Sequence, residues 1–178
     1  MSQKVITVSA SGRSADFRAV DIRYDTNGAQ FDVLWKDERV PFTTRLLGSH
    51  NVLNILMAIA VGHVADLSLR QMSHAIARLE PIEHRLEIKE RGGLIVIDDA
   101  FNSNPVGAAG AVEVLGKFEG RRVIVTPGMI ELGAEEHALN RAFGGQIASN
   151  VDDAVLVGPE RTRPIAEGLI SAGFPESR

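Results

Sequence analysis

Leu94-Ile95-Val96-Ile97 runs directly into Asp98-Asp99-Ala100-Phe101-Asn102-Ser103-Asn104-Pro105. A short unbroken apolar run bounded by turn residues suits a strand buried on both faces of a parallel sheet. Pro105 then opens a stretch with apolar positions at Ala108, Ala111, Val112, Leu115 and Phe118, the spacing of a helix. The same unit recurs. Residues 123–125 and 154–157 are apolar runs, followed by helical stripes at Leu139, Ala142, Phe143 and Ile147, then at Ile165, Leu169 and Ile170. Alternating strands and helices of this length predict right-handed crossovers and an α/β, Rossmann-like parallel sheet.

Ahead of this unit the patterning differs. Val20, Ile22 and Tyr24 alternate with Asp21 and Arg23, and Phe31, Val33 and Trp35 repeat the alternation after Asp25-Thr26-Asn27-Gly28. Period two predicts half-buried strands, and Asn-Gly supplies the positive φ of a tight antiparallel turn. A third short strand is expected at residues 40–44. Helical spacing then takes over, with Ser49 as N-cap and Leu53, Leu56, Met57, Ala60 and Val64 as the apolar stripe. Ser68 caps a second helix with the stripe Leu69, Met72, Ile76 and Leu79, and Pro81 ends that region. The segment Glu80-Pro81-Ile82-Glu83-His84 is the expected boundary, which divides the chain into residues 1–82 and 83–178.

Composition narrows the function classes. The 178 residues are 44% hydrophobic, enough for a core, and carry a formal charge of −4. No basic stripe exists to neutralise a nucleic-acid backbone, although a single nucleotide needs only one or two cations and some backbone N–H groups. With no cysteine, disulfides and thiolate chemistry are excluded. No apolar run approaches the ~18 residues of a membrane span, and Met1-Ser2-Gln3-Lys4 opens no leader-like stretch. The expectation is a soluble, cytoplasmic protein with no nucleic-acid partner. Neither G-x-x-x-x-G-K-[ST] nor G-x-G-x-x-G is present, so neither common phosphate cradle is encoded.

Ligands of open α/β sheets bind beyond the carboxyl ends of the strands. There the sequence places the 98–105 cluster and Thr126-Pro127-Gly128-Met129-Ile130-Glu131-Leu132-Gly133. Two adjacent carboxylates and three small polar side chains are costly to place in such a loop for packing alone. The alternative is that Asp98 and Asn104 merely cap the next helix and fix the turn. His63, His74 and His137 have no partner at ligand spacing and read as structural or solvent-facing, so no metal ligand is assigned.

Four segments, in this order and spacing, resemble the Mur ligase family of peptidoglycan synthesis. They are Gly48-Ser49-His50-Asn51-Val52-Leu53-Asn54, His84-Arg85-Leu86-Glu87, Ile97-Asp98-Asp99-Ala100-Phe101-Asn102-Ser103-Asn104-Pro105, and Gly128-Met129-Ile130-Glu131-Leu132-Gly133. The last two look most like the branch that adds D-alanyl-D-alanine. The resemblance implies the end of a central ATPase domain, seen as a β-hairpin and helix pair, followed by most of a Rossmann-like C-terminal domain clipped at its end.

The resemblance also implies roles. Asn51 and Asn54 match positions that face the adenine, where an amide offers both donor and acceptor; the alternative is helix capping. Arg85 matches the catalytic arginine that reaches the ATP phosphates, for which a guanidinium fork is suited; the alternative is an ion pair with Glu83 or Glu87. Asp99 matches the aspartate that binds the ribose hydroxyls, and Asn102, Ser103 and Asn104 line the substrate side. His50 reads equally as a helix-start residue or a minor nucleotide contact. ATP and Mg2+ are the implied cofactors, the Mg2+ ligands and phosphate loop lying upstream. The implied partners are a UDP-muramoyl peptide and an amino acid or dipeptide. This stretch is therefore expected not to turn over by itself. Two departures bear on the acceptor: Phe101 replaces a tyrosine, and Gly128 stands where an aspartate precedes the methionine. Rival readings are a related ligase with another acceptor, or a non-catalytic nucleotide- or partner-binding module.

Overall fold

The computed structural model describes residues 5–177, and the reading of Met1-Ser2-Gln3-Lys4 lies outside them. The chain divides into two compact units, Met1–Asp98 and Asp99–Arg178. In the first, β1 (Val8–Ser9), β2 (Phe17–Asp25), β3 (Gly28–Trp35) and β4 (Glu38–Thr44) form a four-stranded sheet in that order. β1 runs parallel to β2, and the remaining pairs are antiparallel. Helices α1 (Ser49–Val64) and α2 (Leu69–Ile76) pack on one face of it. The core joins Phe17, Ala19, Phe31, Val33 and Phe42 of the strands to Val52, Ile55, Leu56, Ile59, Leu69, Met72 and Ile76 of the helices.

Local details depart from simple periodicity for identifiable reasons. The β2–β3 register shifts between Val20 and Arg23, where Asp21 adopts φ +54°. The bulge switches which alternate residues face inward, so Phe17 and Ala19 are buried before it and Ile22 and Tyr24 pack inward after it, leaving Val20 off the core face. Thr26 and Asn27 make the hairpin turn, with the Asn27 N–H donating to Asp25 Oδ1 at 2.7 Å. Gly28 is fixed by crowding as well as by its φ of +118°, because a Cβ there would lie 2.0 Å from Thr44 O.

Ser68 caps α2 through a reciprocal capping box with Gln71. In α1 the N-cap is Gly48 and not Ser49. Its buried face is Val52, Ile55, Leu56, Ile59 and Ala60, while Leu53, Met57 and Val64 are exposed. The helix is apolar on nearly every side, so the sheet, and not the periodicity, selects the face.

The run at residues 94–97 is the largest correction. It forms β6 (Leu94–Asp98), paired antiparallel with β5 (Glu87–Arg91), and Leu94, Ile95 and Val96 are exposed. Gly92 and Gly93, at φ +57° and +78°, make the tight turn that favours this hairpin. Among the described residues β6 shares no sheet with the later strands.

The second unit contains α3 (Pro105–Leu115), β7 (Val123–Thr126), α4 (Glu136–Ala148), β8 (Asp153–Leu156) and α5 (Pro159–Ser171). β7 and β8 pair in parallel, as the α/β reading requires. Ile124, Ala154 and Leu156 pack against a core of Ala108, Val112, Met129, Phe143, Ile147, Val151, Ile165 and Leu169. The outer face, with Val123, Val125 and Val155, is exposed, so these strands are covered on one side only. Arg122 reinforces the register, its backbone N–H and guanidinium both donating to Asp152 at 2.8 to 3.1 Å.

Helices α4 and α5 touch backbone to backbone. A Cβ on Gly168 would fall 2.0 Å from Arg141 O, and one on Gly144 would fall 2.2 Å from Ile165 O. Gly145, beside them, has open space around the same position. Gly168→Ala is therefore expected to destabilise by about 1–3 kcal/mol through overpacking. Gly145→Ala is expected to stabilise by roughly 0.5–1 kcal/mol through helix propensity. Urea denaturation of the two variants checks this, and equal effects would contradict the packing described.

Candidate functional site

The residues assigned to the nucleotide begin at the start of α1. Gly48 caps the helix at φ +95° with no side-chain cap hydrogen bond, and the first turn carries no acidic residue. This leaves the positive end of the helix dipole uncompensated by a side chain. A Cβ on Gly48 would meet His50 Cε1 at 2.7 Å and Leu86 Cδ1 at 3.0 Å. The first turn of α1 therefore lies against the residue that follows Arg85, which brings together two segments distant in sequence. Asn51 is half-buried, and its Nδ2 donates to Leu47 O at 2.8 Å, tying the helix start to the incoming chain. This bond occupies one of its amide donors but is not an N-cap, in which the side chain would accept from a backbone N–H. Asn54 is exposed on the next turn. His63 packs edge-on against Phe17 and tilted against Trp35, a structural role.

Arg85 is exposed between two residues in the left-handed region, His84 at φ +60° and Leu86 at φ +50°. Its N–H donates to Ile82 O at 3.1 Å, and Leu86 is buried. A charged cluster flanks this turn. His84 Nδ1 lies 2.9 Å from Asp98 Oδ2, and the His84 N–H donates to Glu87 Oε2 at 3.2 Å. Lys89 Nζ donates to the same Asp98 oxygen at 2.6 Å and lies 3.0 Å from Glu87 Oε2. Asp98 thus reaches back into the hairpin, and the N-cap of the next helix is Asn104. Within the charged run Glu87-Ile88-Lys89-Glu90-Arg91 no motif marks Lys89; the Gly92-Gly93 pair is the sequence signal for the hairpin that gathers it.

In the second unit, Asp99 is half-buried directly after β6, and Asn102 and Ser103 are exposed in the loop that follows. Asn104 is the N-cap of α3, its Oδ1 accepting from the Gly107 N–H at 2.9 Å, with Pro105 at the first helical position. The loop after β7 is held from inside. Asn140 is buried on α4, accepts from the Met129 N–H at 2.9 Å and donates to Met129 O and Glu136 O, each at 2.9 Å. The amide satisfies the buried backbone of Met129 and fixes the path of the loop, in which Gly128 and Glu131 have φ of +77° and +63°. An asparagine among Leu139, Phe143 and Ile147 was the sequence signal for this clamp.

His84, Glu87 and Asp98 offer ligand atoms within 4.8 Å of one another. They do not fit Mg2+, which demands octahedral oxygen ligation; one donor is an imidazole, and the Lys89 ammonium already bonds both carboxylates. The hydrogen bond to Lys89, then that from the His84 N–H, holds the Glu87 carboxyl below its ordinary range. Asp98 first, and Glu87 second, hold the Lys89 ammonium above its ordinary range. Glu87 therefore contributes stability above the ordinary carboxylate pKa of about 4.3, lost as pH falls through its lower folded value. Lys89 contributes below about pH 10.4, lost as pH rises through its higher folded value. Glu87→Gln is expected to lower the urea midpoint at neutral pH and to match the parent once acid has protonated Glu87. A difference unchanged by acid would mean that packing, and not charge, is at work.

Comparison with known proteins matches both halves of the chain. Residues 1–62 match the Mur ligase middle domain, and residues 84–176, more than half of the chain, match the Mur ligase, glutamate ligase domain. The chain is 30% identical over 161 residues to the UDP-N-acetylmuramoyl-tripeptide--D-alanyl-D-alanine ligase of Escherichia coli K12, covering 89% of this chain and 36% of that protein. It is 42% identical over 113 residues to the UDP-N-acetylmuramate--L-alanine ligase of Deinococcus radiodurans, covering 62% of this chain and 23% of that one. In fold it is similar to MurF from Acinetobacter baumannii, with a TM-score of 0.80 at 24% identity over 91% of this chain and 35% of that one. It is likewise similar to MurF from Thermotoga maritima in complex with ADP, with a TM-score of 0.75 at 19% identity over 86% and 36% of the two chains. The chain thus spans about a third of the length of these D-alanyl-D-alanine ligase relatives. No helix among the described residues is long and apolar enough to cross a membrane. With both of its domain-sized segments matched, the chain belongs to the Mur ligase family.

Proposed function

We propose that this chain is part of an ATP-dependent amide ligase of peptidoglycan precursor synthesis and supplies part of its nucleotide site. The observation that supports the reading is the approach of Gly48, at the start of α1, to the side chain of Leu86, the residue that follows Arg85, within one unit. In this reading residues 1–82 end a central domain and residues 83–178 belong to the next. Asn51 and Asn54 face the adenine, Asp99 accepts from the ribose hydroxyls, and the Arg85 guanidinium grips phosphate oxygens. Asn102, Ser103 and Asn104 line the substrate side, Asn104 in addition to its capping role.

The reaction transfers the γ-phosphoryl group of ATP to a carboxylate of a UDP-muramoyl peptide, giving ADP and an acyl phosphate. The amine of an amino acid or dipeptide attacks the acyl carbon and loses a proton, and phosphate leaves as the amide forms. The contribution of this chain is positioning and charge neutralisation, chiefly by Arg85. Mg2+ would neutralise phosphate charge during transfer, and its ligands are assigned to no residue of this chain. The reaction belongs in the cytoplasm, where ATP is supplied.

D-alanyl-D-alanine is the acceptor that the names of several relatives favour. A second acceptor amine is favoured by one local feature. At Gly128 φ is +77°, and a Cβ would lie 3.1 Å from Asn140 Oδ1. The aspartate expected before the methionine would be strained at this position.

Titration of the 178-residue chain with ADP and with adenosine, followed by amide NMR, tests the reading. ADP is expected to bind more tightly than adenosine. Arg85→Ala is expected to weaken ADP by roughly 10–100-fold, the worth of a charge-assisted hydrogen bond, and to spare adenosine. Asp99→Ala is expected to weaken both. Equal affinity for ADP and adenosine, unaffected by either variant, would contradict the assignment.

A further inference from the structure

The backbone that carries Arg85 is unusual. His84 and Leu86, on either side of it, both have positive φ, a conformation that L residues rarely adopt. Such geometry persists where the surroundings over-determine it. On the Leu86 side the restraint is burial, with the side chain 3% exposed. On the His84 side the restraint is electrostatic. Its ring is bonded to Asp98 Oδ2 and its N–H to Glu87 Oε2, and Glu87 and Asp98 are directly opposite each other across β5 and β6.

Two carboxylates at facing positions repel unless a cation separates them. Lys89 supplies that cation, with its ammonium bonded to both Asp98 Oδ2 and Glu87 Oε2. Both oxygens it touches are the ones that hold His84, the ring through the first and the backbone N–H through the second. Removing the ammonium would let the carboxylates separate and release both tethers at once.

We propose that Lys89 is a positioning residue for Arg85, fixing through Asp98, Glu87 and His84 the turn that presents the guanidinium to a nucleotide's phosphates. The proposal rests on the reading that Arg85 contacts phosphate. The Lys89 ammonium is engaged by the Glu87 and Asp98 carboxylates, so the effect proposed for it passes through Arg85.

The experiment is a double-mutant cycle on the 178-residue chain with ADP and adenosine as probes. Lys89→Met is expected to weaken ADP about tenfold or less, to leave adenosine unchanged, and to add nothing once Arg85→Ala is present. Lys89→Arg, which keeps the charge, is expected to restore most of the affinity. Independently of any ligand, hydrogen exchange at the His84 and Arg85 amides should accelerate in Lys89→Met while that of Leu56 and Ile59 in the core does not. If Lys89→Met fails to fold, Lys89→Gln carries the same cycle. Additive losses from Lys89 and Arg85, or amide exchange at 84–85 identical to the parent, would overturn the proposal while leaving Arg85 as a phosphate ligand. No effect of Arg85→Ala on ADP would overturn both.

Discussion

One carboxylate oxygen, Asp98 Oδ2, accepts from the Lys89 ammonium at 2.6 Å and lies 2.9 Å from the His84 ring. Asp98 is also the last residue of the first compact unit, where the chain passes into the second. Its bonds close the β5–β6 hairpin at the end opposite the Gly92-Gly93 turn. They also fix His84, and with it the left-handed turn around Arg85. A surface ion pair of ordinary kind contributes little to stability. Here the value of the cluster lies in geometry, because several bonds converge on a backbone that does not hold its conformation unaided.

The second unit restrains its loops with neutral groups instead. Asn104 and Pro105 start α3, and the Asn140 amide holds both polar atoms of the Met129 backbone within the core. A buried amide with every contact satisfied specifies a loop path, since any other path would strand a polar group. Close backbone packing at Gly144 and Gly168 keeps α4, which carries Asn140, fixed against α5.

What was legible in the sequence depended on whether local chemistry had a single answer. Ser68 and Gln71 spell a capping box and make one. β7 and β8 lie within a residue of the apolar runs that announced them. The buried face of α1 was not legible, because apolar residues surround that helix and only the sheet chooses among them. The pairing of β6 was misread because its partner β5 is mostly charged. The bulge at Asp21 left no pattern to read. Of the candidate residues, those around Asn51, Arg85 and Asp99 lie in legible motifs, whereas the side chains that fix the neighbouring backbone at His84 and Met129 do not. Lys89 sits in a run of charged residues and Asn140 is a single amide within an apolar stripe, so neither belongs to a motif.

Membership of the Mur ligase family rests on matches at residues 1–62 and 84–176, and the chain spans about a third of the length of its D-alanyl-D-alanine ligase relatives. The central proposal is narrower: the first turn of α1 and the Arg85 turn, both in the first unit, contribute to binding a nucleotide, and Asp99 is proposed to do so from the second. Hydrogen–deuterium exchange of the chain with and without saturating ADP tests it most directly. The account predicts slowed exchange at residues 49–54, 84–87 and 99–104 with little change elsewhere. Protection confined to other segments, or none at ADP concentrations that saturate binding, would contradict it.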